Sequence, residues 1–176
     1  MGMDVEGINP TTISEEPKRP DNLYDLSDEE VSSYWEARNK WLDENPGVYF
    51  RANVWSWRPI CEAMWESGAC YELPDGQWEH MSFNDGAGAR SREECDRMAA
   101  KLRSWMNEKI WDDTNRWVPE GYDKDDMQVD EQGRFVSKTE AELKDVVTHS
   151  PYSVSKEHLE AWIRFLENCG DGFEVW

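Results

Sequence analysis

The chain has 176 residues, with 38 Asp and Glu against 19 Lys and Arg, a formal net charge of -19. A field of that sign repels nucleic-acid phosphates and anionic membranes, so direct nucleic-acid binding is disfavoured, whereas a partner with a basic surface is attracted. Only 38% of the residues are hydrophobic, but eleven are tryptophan, so a core has to be built from large aromatic pieces, and the aromatic content excludes a chain disordered throughout.

The length fits a single domain over residues 1–176. Cys61, Cys70, Cys95 and Cys169 are scattered without a C-x-x-C pair, which fits a reducing compartment. The start of the chain has neither a basic region nor an apolar run, and no stretch approaches the roughly 20 apolar residues that span a bilayer. These features together predict a cytoplasmic protein with no membrane segment.

In chain order, residues 1–9 carry Met3, Val5 and Ile8 in a strand-like pattern, and residues 10–22, with three prolines, read as a linker. Ser27 and Glu30 form a capping box. After it, Val31, Tyr34, Trp35, Arg38, Trp41 and Leu42 share one helical face, closed by Asn45-Pro46-Gly47. Residues 48–55 alternate as a strand, with Phe50, Ala52 and Val54 on one face and Arg51, Asn53 and Trp55 on the other. Pro59 suits a first helical position, predicting a helix from there to Gly68 with Ile60, Cys61, Met64 and Trp65 inward.

Residues 69–90 look irregular. Ser91 or a neighbour caps the clearest helix, whose core face is Cys95, Met98, Ala99, Leu102, Trp105, Met106 and Ile110. Residues 111–136 read as an acidic, hairpin-like insertion, with strands 127–129 and 134–136. Ser137 and Glu140 cap a helix to about residue 147. A last helix, 156–168, turns Leu159, Trp162, Ile163 and Leu166 inward, has Gly170 as its C-cap, and leads to a terminal strand at 173–176. The sum is an α+β fold: four to five helices packed on a small, mainly antiparallel sheet assembled from distant segments.

No catalytic motif stands out. His80, His149 and His158 have no partner at metal-ligand spacing, and residues 123–134 lack the glycine and glutamate of a calcium loop, so neither metal nor cofactor is expected. Asn84-Asp85-Gly86-Ala87-Gly88 before a helix suits an anion cradle or, equally, a structural turn. Arg51, Asn53, Trp55, Trp57 and Arg58 combine guanidinium forks with indole faces, which suits a flat anionic ligand; the same residues also suit closing the edge of a core.

Several segments together resemble a family of small proteins of bacteria and their phages. They are Met1-Gly2-Met3-Asp4-Val5 with Gly7, Asn9 and Pro10; the run from Tyr49 through Phe50, Arg51, Asn53, Val54, Trp55, Trp57, Arg58 and Pro59; Asn84 to Gly88; and Pro151-Tyr152-Ser153-Val154 with the ending Gly172-Phe173-Glu174-Val175-Trp176. The resemblance implies an intracellular protein, acting in the host cytoplasm if viral, and carries no catalytic role with it. Here a helix is inserted between the opening block and Tyr49, and an acidic hairpin region stands where some relatives carry a cysteine-rich insert.

Two functions follow as expectations. The first is a non-enzymatic acidic interaction protein that binds a partner with a basic surface, in one version a phage-encoded inhibitor of a host or defence factor acting by nucleic-acid mimicry. The second is a binder of a nucleotide or cyclic nucleotide, using Arg51, Asn53, Trp55, Trp57 and Arg58 with Asn84, Asp85, Gly86 and Gly88. A hydrolase built on converging carboxylates stands behind both.

Overall fold

The computed structural model describes residues 2–123 and 127–176. Met1, from the expected opening strand, and residues 124–126, from the expected acidic insertion, lie outside the described residues.

The elements follow in chain order: β1 (Gly2–Gly7), α1 (Asp28–Glu44), β2 (Tyr49–Asn53), α2 (Val54–Glu66), α3 (Gln77–His80) and α4 (Arg92–Glu108). Then come β3 (Arg116–Trp117), β4 (Met127–Asp130), β5 (Phe135–Ser137), α5 (Lys138–Lys144), β6 (Thr148–His149), β7 (Val154–Ser155), α6 (Lys156–Leu166) and β8 (Phe173–Val175). The fold is α+β, and all the strand pairs are antiparallel. In place of one sheet there are three, ordered β2-β1-β8, β3-β7 and β5-β4-β6, and the short α3 brings the helices of the described residues to six.

The main sheet joins the two chain ends. β1 lies in its middle, with Val5 opposite both Phe50 and Val175. Because side chains alternate along a strand, Met3, Val5, Phe50, Ala52, Phe173 and Val175 share the inner face and are buried. Gly2, Asp4, Glu6 and Arg51 are left on the outer face. Trp162 of α6 fills the centre of the core, its ring 5.0 Å from Phe50, 5.6 Å from Trp57, and 5.3 Å from both Phe165 and Phe173. α4 closes the far side with Cys95, Met98, Ala99, Leu102 and Met106.

Four expectations change. α1 has its capping box, yet Trp41 alone of its residues is fully buried, and Trp35 faces solvent. Along this helix Trp41 Nε1 donates to Ser14 O at 3.1 Å and Ile13 N to Asn45 Oδ1 at 2.8 Å. α4 ends at Glu108, so Ile110 lies beyond it in solvent. α6 is capped at Glu167, and Gly170, at φ +75°, makes the next turn, where a Cβ would meet Asn9 O at 2.2 Å. The fourth concerns α2 and alters the candidate site.

Candidate functional site

α2 starts five residues before Pro59. The Asn53 side chain accepts from Ser56 N at 2.9 Å, and this local cap overrides the strand alternation that continues through Trp55 in the sequence. Pro59 is therefore internal to the helix, and the carbonyl that loses its donor is that of Trp55.

The earlier start separates the five residues read as one constellation. Arg51 stays on the outer face of β2, its Nε 3.6 Å from Asp4 Oδ1. The Tyr49 hydroxyl also donates to that carboxylate, and burial pushes the phenol up to about 12. Asn53 is the N-cap of α2, so it does not alternate with Trp55 along one strand face. Trp57 is only 2% exposed and donates its indole N–H to Met81 O at 2.8 Å, so it belongs to the core. Trp55 and Arg58 remain together on the outside of the helix.

Asn84 to Gly88 forms a joint with the chain end. Gly86 N donates to Val175 O at 2.9 Å, Val175 N to Ala87 O at 2.8 Å, and Gly88 N to Gln77 Oε1 at 3.0 Å. The amides of Gly86 and Gly88 that an anion cradle would use are thus already bonded. Asp85 holds His80 Nδ1 at 2.6 Å, and Arg90 donates to Gly86 O at 2.7 Å and to Glu174 Oε1 at 2.7 Å. Asn84 is exposed at the tip.

A different surface forms along α2. Trp55, Arg58 and Trp65 stand at i, i+3 and i+10, one helical face, and all three are exposed. Trp55 is 37% and Trp65 50% exposed. Trp65 stacks on Trp78, with centroids 6.2 Å apart, and packs against Tyr71. At the other end Trp55 meets Phe135 at 5.8 Å and Tyr152 at 4.7 Å, Tyr152 continues to Tyr122 at 4.9 Å, and the Arg58 guanidinium lies 5.3 Å over the Tyr152 ring. The outcome is an aromatic belt across the outside of the molecule. Trp65 had been placed on a core stripe because helical spacing shows which residues share a face but not whether a neighbour covers them.

Beside Trp55 opens a cleft of about 390 Å³ between the start of α2, the β3–β7 ribbon and the β5-β4-β6 sheet. Arg116, His149 and Ser153 line it; the sequence offers His149 only as a metal-ligand candidate and Ser153 only within a resembling segment, and it gives no sign of Arg116. Arg116 Nε donates to Ser153 Oγ at 2.9 Å, and burial pushes its guanidinium below its ordinary value. Burial, then the nearby Arg116 charge, also hold His149 and His158 below their ordinary value of 6.5.

A histidine with a depressed folded-state value takes up fewer protons folded than unfolded, so its stabilising effect is full above pH 6.5 and fades as the pH falls through and below it. Stability is expected to drop between pH 7.5 and 5.5, by at most about 1.4 kcal/mol per pH unit for each group. Thermal melts of wild type and a His149→Gln/His158→Gln double variant check this: the wild-type Tm falls and the variant's stays flat. Glu72, held low by Lys101 and Arg97, and Asp130, held low by Arg134, add their own loss only nearer their ordinary values of 4.5 and 3.8.

Among the described residues, no group of three or more His, Cys, Asp or Glu is gathered for a metal ion, and no helix is long and apolar enough to cross a membrane. Compared with known proteins, the chain matches no family model, no curated protein and no solved structure.

Proposed function

We propose that this chain is a non-enzymatic interaction protein whose aromatic belt docks on a partner with a basic surface. The observation that carries the reading is the outer face of α2, where Trp55, Arg58 and Trp65 are exposed and continue into Tyr152, Phe135 and Trp78. Exposed indole and phenol rings with an arginine among them are the residue types that dominate binding energy at protein interfaces. The net charge of -19 selects for basic partners and speeds encounter with them. The resemblance to small bacterial and phage proteins supports action in the cytoplasm, and a phage-encoded inhibitor of a host or defence factor is the version that joins both features. In that version surface carboxylates stand in for nucleic-acid phosphates.

The test is a salt titration of the complex captured from bacterial extract. Raising NaCl from about 0.05 to 0.5 M shortens the Debye length several-fold and is expected to release the partner. Retention unchanged over that range contradicts the electrostatic reading. Duplex DNA competes for the captured partner if the carboxylates mimic phosphates, and failure to compete rejects that version.

A further inference from the structure

The cleft beside Trp55 has a donor set unlike the rest of the surface. In a chain with 38 acidic residues, Arg116 is half-buried and forms no ion pair among the described residues. Its Nε is held by Ser153 Oγ, and Nη2 reaches Ser153 O only at 3.4 Å. The guanidinium is fixed in place with donor capacity left over. Asn53 accepts from Ser56 through Oδ1 and leaves its Nδ2 donor without a partner among the described residues. His149 adds a ring whose charged form is disfavoured by burial and by the nearby Arg116, and whose nitrogens can donate or accept.

The acidic residues in the cleft do not cancel this set. Asp130 is saturated: Arg134 Nε and Nη2 reach its Oδ2 at 2.8 and 2.6 Å, and the amides of Gln132 and Arg134 donate to its Oδ1. Glu131, with no partner among the described residues, is an acceptor on the same wall. Trp55 and Phe135 supply ring surface, and about 390 Å³ falls within the range of small-molecule sites.

We infer that the Arg116 cleft binds an anion carried on a flat, amine-bearing ring, the chemistry of a nucleoside monophosphate. Arg116 takes the anion by charge-assisted hydrogen bonds, with Asn53 Nδ2 and His149 as further donors. The ring lies against Trp55, and Glu131 accepts from its exocyclic amine. This site differs from the expected nucleotide pocket: it uses neither Arg51 nor the Asn84–Gly88 loop. It shares Trp55 and Phe135 with the partner surface but uses neither Arg58 nor Trp65.

Calorimetric titration of the full chain with AMP, GMP, CMP and UMP, and with adenosine and inorganic phosphate as controls, tests it. At least one amine-bearing monophosphate is expected to bind. Removing one charged hydrogen-bonding partner is worth about tenfold or more in affinity, so Arg116→Gln should weaken binding by that factor, as should replacing the nucleotide by adenosine. Inorganic phosphate should bind at least about fivefold more weakly for want of ring stacking. Trp65→Ala should leave the titration unchanged. Hydrogen exchange on the wild type with the best ligand should protect residues 53–56 and 148–153, a readout that holds even if Arg116→Gln fails to fold. Absence of heat from every monophosphate, equal binding by phosphate alone, unchanged binding in folded Arg116→Gln, or protection confined to other segments overturns the inference.

Discussion

Gly88→Ala is expected to lower stability by about 3 kcal/mol or more, since a core overpacked against backbone has no rotamer through which to escape. A Cβ on Gly88 would sit 1.9 Å from Phe173 O and 2.8 Å from Phe173 C, atoms of β8 itself. Relief requires the loop to separate from β8. That breaks a run of backbone hydrogen bonds, Gly86 to Val175, Val175 to Ala87 and Phe173 to Ala89, each worth about 0.5–1.5 kcal/mol net. β8 is an edge of the main sheet, paired to β1, so the damage reaches the register of the chain ends. A Tm decrease of about 6–12 °C is expected for a chain of this size. Asn84→Ala, at the exposed tip of the same loop, is expected to change stability by less than about 0.5 kcal/mol. Thermal melts of the two variants check both numbers, and equal effects would show that the loop is not a joint.

The second large effect separates two tryptophans of one helix. Trp57→Ala should cost about 3–5 kcal/mol, the range for removing a buried aromatic side chain. It empties a site packed edge-on against Trp162 and leaves Met81 O without its 2.8 Å donor. Trp65→Ala, eight residues on, should cost far less, because half of that side chain is already in solvent and its contacts are with the exposed Tyr71 and the half-buried Trp78. Urea unfolding measures both. A Trp65→Ala loss as large as that of Trp57→Ala would mean that the belt is part of the core.

Those two residues also show what the sequence disclosed and what it hid. Helix starts at Ser27, Ser91 and Ser137 were legible because an N-cap is a local event, a hydroxyl accepting from an amide three residues on. The strands of the main sheet were legible from alternation, and so was its assembly from distant segments; that β1 pairs with β8 and joins the chain ends was not. The start of α2 was not. Asn53 is the last residue of an alternating run and also a good cap, and a two-residue period continues through Trp55 regardless of which role prevails. From that one boundary came the reading of Asn53 and Trp55 as one strand face and of Trp57, which is buried, as part of an exposed constellation.

Exposure was hidden for a different reason. Periodicity put Trp35 and Trp65 on apolar stripes, but whether a stripe is covered depends on the distant segment packed over it. Arg116 lay further out of reach. Its cleft is assembled from residues near 55, 116, 131 and 151, and no segment carries enough of it to form a motif. The glycine-rich loop was visible as a loop, while its hydrogen bonds to β8 were not.

The central claim is that the outer face of α2 is a docking surface. The most direct measurement compares the wild type with a Trp55→Ala/Trp65→Ala double variant, each shown to be folded by circular dichroism, as bait in bacterial extract at low salt. The account predicts that the wild type retains a basic protein and that the double variant, with its charge of -19 unchanged, loses it. Equal retention by the two baits would contradict the claim and leave the acidic field alone as the source of binding.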